Sequence, residues 1–112
     1  MIYEVNLKIP IEIKTSYNNW LADHISEMRN FDGFLDVVIF QKEQTSFESY
    51  YELCVQYHLK NRQTLCDYEQ NHAERMRGEG LNLWGTQVQA TRRILLPYNL
   101  VDQRNDNPRE NK

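Results

Sequence analysis

A short stretch near the start of the chain, residues 2–9, decides the fold and reads IYEVNLKI. From Tyr3 onward its odd-numbered positions are apolar and its even-numbered positions are polar, a period of two that is typical of a strand with one buried face. Residues 49–59 show the same alternation. The sequence therefore predicts two strands that bury their odd-numbered side chains and turn the even-numbered ones away from the core.

The period changes between these strands. Residues 12–29 carry apolar side chains three and four positions apart, which predicts an amphipathic helix, and residues 34–42 are rich in Val, Ile and Phe, as strands are. Residues 44–46 fit a hairpin connection. Asn61 suits the N-cap of a second helix, which Gly78 and Gly80 are expected to end. Residues 86–96 predict a fourth strand.

The resulting order of elements is that of the ferredoxin-like βαββαβ fold. We therefore expect an α+β protein with a four-stranded antiparallel sheet and two helices on one face. A chain of 112 residues suits one domain, which we place at residues 1–100. Residues 101–112 are polar and are expected to form a disordered tail, because they bury too little surface to offset their ordering entropy.

Several motifs carry a family resemblance between residues 1 and 96. They are Met1-Ile2-Tyr3-Glu4-Val5, Trp20-Leu21-x-x-His24, Gly33-Phe34, Val55-Gln56-Tyr57 and, most specific of all, His72-Ala73-x-Arg75-Met76-Arg77-x-Glu79-Gly80-Leu81. With these motifs the chain resembles a small bacterial family of unassigned function among the dimeric α+β barrels. The resemblance implies the ferredoxin-like fold and a homodimer that pairs through one sheet face, and it implies no reaction.

Composition narrows the classes of function. The formal net charge is −3, with 16 acidic against 13 basic residues, which argues against a nucleic-acid partner. No apolar run approaches the roughly 18 residues that cross a bilayer, and no signal peptide precedes the first strand, so a cytoplasmic protein is expected. Cys54 and Cys66 lack metal-ligand spacing and are expected to be free, buried thiols. The sequence predicts no metal and no cofactor.

The even-numbered face of the sheet is the predicted ligand site. It mixes donors, acceptors and both signs of charge, so it could face water, pack on a second copy or line a cavity between two copies. The candidate ligand-binding residues are Asn6, Glu52, Gln56, His58, Gln89 and Arg93. The arginines Arg75, Arg77, Arg92 and Arg93 are compatible with a small acidic ligand or with ion pairs to neighbouring glutamates.

Three residues are catalytic candidates: His58, His72 and Asn6. We expect His58 near Glu4 or Glu52, where a carboxylate would orient the imidazole for general-base work; the alternative is a structural interface histidine. His72 lies in an apolar helical stripe. His24 lies in another, and its ring is expected to bond a backbone carbonyl in the core.

The sequence favours a binding or structural role over catalysis, because no strong catalytic constellation is present. The predicted function is a homodimeric small-molecule-binding or structural domain that uses the non-helix face of the sheet. One alternative is a cofactor-independent monooxygenase. By resemblance to the haem-degrading type of these enzymes, Asn6, Tyr68 and His72 would lie on the same strand and helix as the site residues of that type. The other is a regulatory protein-interaction module that uses a free strand edge.

Overall fold

The computed structural model describes residues 1–45 and 48–101. The main elements are the strands β1 (Ile2–Pro10), β2 (Phe34–Gln41), β3 (Tyr50–Leu59) and β4 (Gln89–Leu95), and the helices α1 (Lys14–Arg29), α2 (Arg62–Asn71) and α3 (Ala73–Trp84). Short 3₁₀ turns, Ile11–Ile13 and Gly85–Gln87, follow β1 and α3. Part of the hairpin predicted at 44–46 lies outside the described residues. The predicted tail lies outside them from residue 102 onward.

The four strands form one sheet in the order β2-β3-β1-β4, and all neighbouring strands are antiparallel. Tyr3 lies opposite Tyr57 and Val5 opposite Val55, so the two central strands present the same parity to each face. This is the predicted α+β, ferredoxin-like sheet.

The core lies between the sheet and the helices. Its strand residues are odd-numbered, as predicted, and include Tyr3, Leu7, Val55 and Tyr57, each at most 7% exposed. Aromatic rings from the strands and helices meet there. Tyr3 packs on Tyr57 and on Tyr68 of α2, with ring centroids 6.0 and 5.6 Å apart. The burial of these large side chains, each worth roughly 1.5–3 kcal/mol, orients the sheet.

The second helical region differs from the prediction in two ways. It divides into α2 and α3 at His72, whose φ of −132° leaves the helical range, although Met76 N–H still donates to His72 O at 3.0 Å. It also runs past Gly78 and Gly80 to Trp84. Gly80 is retained within the helix where Trp20 packs closely, since a Cβ there would lie 3.1 Å from the indole. The helix ends instead at Gly85, with φ +58°.

The turn into β2 depends on Gly33. Its φ is +84°, and a Cβ at this position would lie 2.1 Å from Thr64 Oγ1. Lys60 N–H donates to Gly33 O at 2.8 Å, which ties the turn to the end of β3. Only glycine meets both demands. None of the helices in the described part of the chain is long and apolar enough to span a membrane.

Candidate functional site

The non-helix face of the sheet has a carboxylate at its centre. Glu4 is 1% exposed and accepts hydrogen bonds from Asn6 Nδ2 and Gln56 Nε2, both at 2.9 Å, and from Arg93 Nε. The Arg93 guanidinium, followed by the two amides, lowers the pKa of Glu4 from 4.5 to about 2. The predicted ligand-binding residues thus lie on one face, but three of them are already engaged with Glu4.

His58 lies on the same face but not where we expected it. The register places it opposite Ile2 and Asp36, whereas Glu4 pairs with Gln56. Glu52 pairs with Lys8 on β1, and its carboxylate accepts from Lys42 Nζ at 3.1 Å. The expectation that Glu4 or Glu52 lies beside His58 is therefore wrong, and the carboxylate residue opposite it is Asp36, because alternation fixes the face of a residue and leaves its register open.

The catalytic candidates do not converge on one site. The ring of His72 stacks on Phe31 with centroids 4.1 Å apart, and Tyr68 lies in the core beneath the sheet. Asn6 lies on the opposite face, bonded to Glu4. The arrangement of Asn6, Tyr68 and His72 that a haem-degrading enzyme would need does not form, because the sheet separates Asn6 from the other two.

A cavity of about 310 Å³ lies on the other side of the sheet, between β1, β3 and β4 and the helices α1 and α3. Tyr3, Val5 and Tyr57 line it from the sheet, and Trp20 and His24 of α1 and Trp84 of α3 line it from the helices. Ala90 and Arg92 of β4 line the cavity and are exposed, so it opens to solvent along this edge strand.

Aromatic rings form one wall of this helix-side cavity. Trp20 and Trp84 pack edge to face with centroids 6.3 Å apart, and Tyr17 packs on Trp84 at 5.2 Å. The imidazole of His24 stacks on Trp20 at 4.7 Å. Flat rings held at fixed angles present both faces and edges to a bound ring, which is the geometry that aromatic ligands favour.

Three buried nitrogen atoms of this lining have no hydrogen-bond partner among the described residues: His24 Nδ1, Arg77 Nε and Trp84 Nε1. Our expectation that a backbone carbonyl satisfies His24 is wrong for Nδ1. Burial lowers the pKa of His24, so its imidazole is held neutral. Buried polar atoms are rarely left unpaired. Three of them around one aromatic-walled cavity make it a candidate site for a ligand with both rings and polar groups.

The arginines differ in how fully they are paired. Arg75 bonds Glu27 at 2.8 Å and Glu79 at 2.9 Å, and Arg77 Nη2 bonds Glu69 at 2.8 Å and Tyr3 Oη at 3.0 Å. The ion-pair interpretation is therefore confirmed for these two. Arg92 forms no salt bridge within residues 1–45 and 48–101.

Sequence reasoning missed this cavity, although signals for it were present. Tyr17, Trp20 and His24 share one helical face, and Arg92 has the parity of the buried side of β4. A charge among apolar neighbours on that side indicates either a paired arginine or an opening. The structure shows the opening.

The cysteines lie outside the cavity. Both are free thiols, as predicted; Cys54 is half-buried on the non-helix face, and Cys66 is exposed rather than buried because it lies on the outer side of α2. Within the part of the chain that the structure describes, no three His, Cys, Asp or Glu side chains are grouped to hold a metal ion.

A family model described as "Domain of unknown function (DUF4286)" matches residues 1–98. Among curated proteins, no sequence matches this chain.

Solved structures share the fold. A protein described as an ethyl tert-butyl ether d (ethd) family protein, from Bacillus halodurans, is 12% identical with a TM-score of 0.60, over 86% of this chain and 100% of that one. A proposed antibiotic-biosynthesis monooxygenase from Deinococcus radiodurans is 15% identical (TM-score 0.59; 88% and 94% covered). SnoaB, a cofactor-independent oxygenase from Streptomyces nogalater, is 9% identical (0.57; 88% and 95%). At these identities the likeness shows the fold alone.

Proposed function

Because the chain belongs to the family described as Domain of unknown function (DUF4286), membership brings no activity with it, and we propose from the geometry that it is a small-molecule-binding domain. The ligand occupies the helix-side cavity. The observation that carries this proposal is the set of three unpartnered buried nitrogens, on His24, Arg77 and Trp84, around one aromatic-walled space.

The size of the cavity limits the ligand. About 310 Å³ is at the lower end of the range for small-molecule pockets, which suits a ligand of about two fused rings. The ring system lies against Trp20 and Trp84, and a polar group of the ligand that reaches the buried indole N–H of Trp84 displaces no partner among the described residues.

A pair of neighbouring substitutions on β4 tests where the ligand binds. Ala90 lines the cavity, whereas Thr91 pairs with Asn6 and faces the other side of the sheet. Ala90→Phe fills the cavity and is expected to weaken binding of 2-naphthoate and 2-naphthamide at least about tenfold, and Thr91→Phe is the matched control.

Tryptophan fluorescence of the full chain, titrated with each probe, measures this binding. Saturable binding that the Ala90 variant alone loses supports the proposal. The proposal is wrong if neither probe binds the wild-type protein, or if both variants bind as the wild type does.

We propose that the non-helix face of the sheet is where a second copy of the chain packs. Phe40 is 53% exposed there on β2, opposite Cys54 on β3, and the central charge of Glu4 is already paired within its own chain. A self-paired carboxylate costs less to cover than a free one.

Light scattering during gel filtration tests the homodimer. We expect twice the 13.5 kDa chain mass for the wild type and for Leu83→Asp on the exposed side of α3, and a monomer for Phe40→Asp. A monomeric wild type contradicts the homodimer and leaves the cavity proposal standing.

A second candidate is an oxygen-dependent, cofactor-independent monooxygenase. It is favoured by the shared fold with SnoaB and by the neutral His24, whose free Nδ1 could accept a proton from a phenol in the cavity. An oxygen electrode with 1,5-dihydroxynaphthalene as substrate tests it. Enzyme-dependent oxygen uptake that His24→Ala abolishes and His58→Ala retains supports catalysis, and uptake equal to the protein-free rate rejects this candidate for that substrate.

A further inference from the structure

The charges around the helix-side cavity are unbalanced. Two arginines, Arg77 and Arg92, line it, and none of the aspartates and glutamates in the described ranges 1–45 and 48–101 does. This is unexpected in a chain with more acidic than basic residues. A one-sided lining of this kind favours a ligand of the opposite sign.

Among residues 1–45 and 48–101, one positive charge of this lining has no carboxylate partner. Glu69 neutralises Arg77 through a 2.8 Å ion pair. His24, which is near Glu27 on its own helix, Glu79 and Arg75 on α3 and Arg92 on β4, is held neutral by burial. The guanidinium of Arg92 is left without a carboxylate partner among the described residues.

Arg92 also acts on the inner surface of the cavity. Burial raises the pKa of Tyr17 and Tyr57, and the positive charge of Arg92 offsets part of that rise in both. Its field therefore reaches rings on α1 and on β3, on two sides of the space. An anionic oxygen at the open end near Arg92 would lie within this field.

Resting on the proposed function, we propose that the cavity selects a flat aromatic monoanion, a carboxylate or phenolate, with its charged oxygen beside Arg92 and its rings against Trp20 and Trp84. A neutral analogue of the same shape binds more weakly. A dianion also binds more weakly, because only one positive charge is free to meet it.

A matched pair of probes tests the charge preference. 2-Naphthoate is an anion at pH 7, and 2-naphthamide has nearly the same shape and no charge. We expect naphthoate to bind the full-length protein about tenfold more tightly than naphthamide, and Arg92→Gln to remove that preference by weakening naphthoate alone.

Two further variants locate the effect. Arg75 is paired with Glu27 and Glu79 outside the cavity, so Arg75→Gln is expected to leave the preference for naphthoate unchanged. Loss of the preference in Arg93→Gln and not in Arg92→Gln would place the anion on the other face of the sheet and overturn the inference.

Ionic strength gives a readout that does not depend on a variant. Raising the salt concentration is expected to weaken naphthoate binding and to leave naphthamide binding unchanged. Equal affinity for the two probes, at low and high salt, overturns the charge preference while the binding proposal stands. Binding of neither probe removes both.

Discussion

Glu4→Gln is the substitution whose effect the structure defines best. The side chain keeps its size and loses its charge. Asn6 Nδ2, Gln56 Nε2 and Arg93 Nε all donate to the carboxylate, and a Gln amide places a donor where one of two acceptor oxygens was. The variant therefore loses an ion pair and gains a clash between donors at the centre of the sheet.

The lowered pKa of Glu4 gives the expected size of the stability loss in Glu4→Gln. A fall from 4.5 to about 2 corresponds to about 3 kcal/mol of stability at pH 7. The Glu4 side chain is 2% exposed but the Arg93 side chain is 65% exposed, so water screens part of the interaction. We therefore expect Glu4→Gln to lower the free energy of unfolding by about 1–2 kcal/mol.

The pH dependence follows from the direction of the shift. Because the folded-state pKa lies below that of the unfolded chain, the unfolded chain takes up this proton first as the pH falls. The stabilisation is complete above about pH 5 and is lost as the pH falls from 4.5 to about 2. The difference between wild type and variant therefore shrinks over that range.

Urea unfolding followed by circular dichroism, at several pH values between 7 and 3 and at one protein concentration, measures the difference. Glu52→Gln is the control, because Glu52 lies on the same face in an exposed ion pair with Lys42 and is expected to cost less than about 0.5 kcal/mol. A cost for Glu4→Gln that equals that of the control, or that is independent of pH, would refute the reasoning.

Three further predictions concern stability and ionisation. Gly33→Ala forces a methyl group onto Thr64 at φ +84° and is expected to cost about 2–3 kcal/mol in urea unfolding, whereas Gly78→Ala, where a Cβ meets nothing, should stabilise by about 0.5–1 kcal/mol. Asn61→Ala removes the acceptor for Thr64 N–H at 3.0 Å and should lower stability by about 1 kcal/mol, seen as a lower Tm. Burial raises the pKa of four tyrosines above the usual value of about 10, so absorbance titration should show them ionising after the exposed ones, and stability should fall as the pH rises above 10; the four are Tyr17, Tyr51, Tyr57 and Tyr68. Simple ionisation of all seven tyrosines near pH 10 contradicts the last prediction.

The sequence was sufficient for the sheet because alternation is a local property. The side chains of β1 and β3 fall on the predicted faces, since a strand turns each successive side chain to the opposite side. Register is a property of two strands together, and His58 shows the consequence. Its face was predicted correctly, and its expected neighbours were wrong.

The alternation of side chains along a strand could not predict the cavity. Its walls come from strands and helices up to 89 positions apart in sequence, from Tyr3 to Arg92, and its volume depends on how closely α1 approaches α3. Gly80 sets that approach through Trp20, yet its sequence signal was taken for the end of a helix. A glycine that permits close packing and one that ends a helix look alike in sequence.

The most direct test of where this protein binds its ligand uses side-chain nitrogen signals in a ¹⁵N-labelled sample titrated with 2-naphthoate. The indole signals of Trp20 and Trp84 report on the helix-side cavity, and the amide signals of Asn6 and Gln56 report on the opposite face. Both indole signals should shift with saturation while the two amide signals stay in place. Movement of the amide signals with unchanged indoles would contradict the assignment.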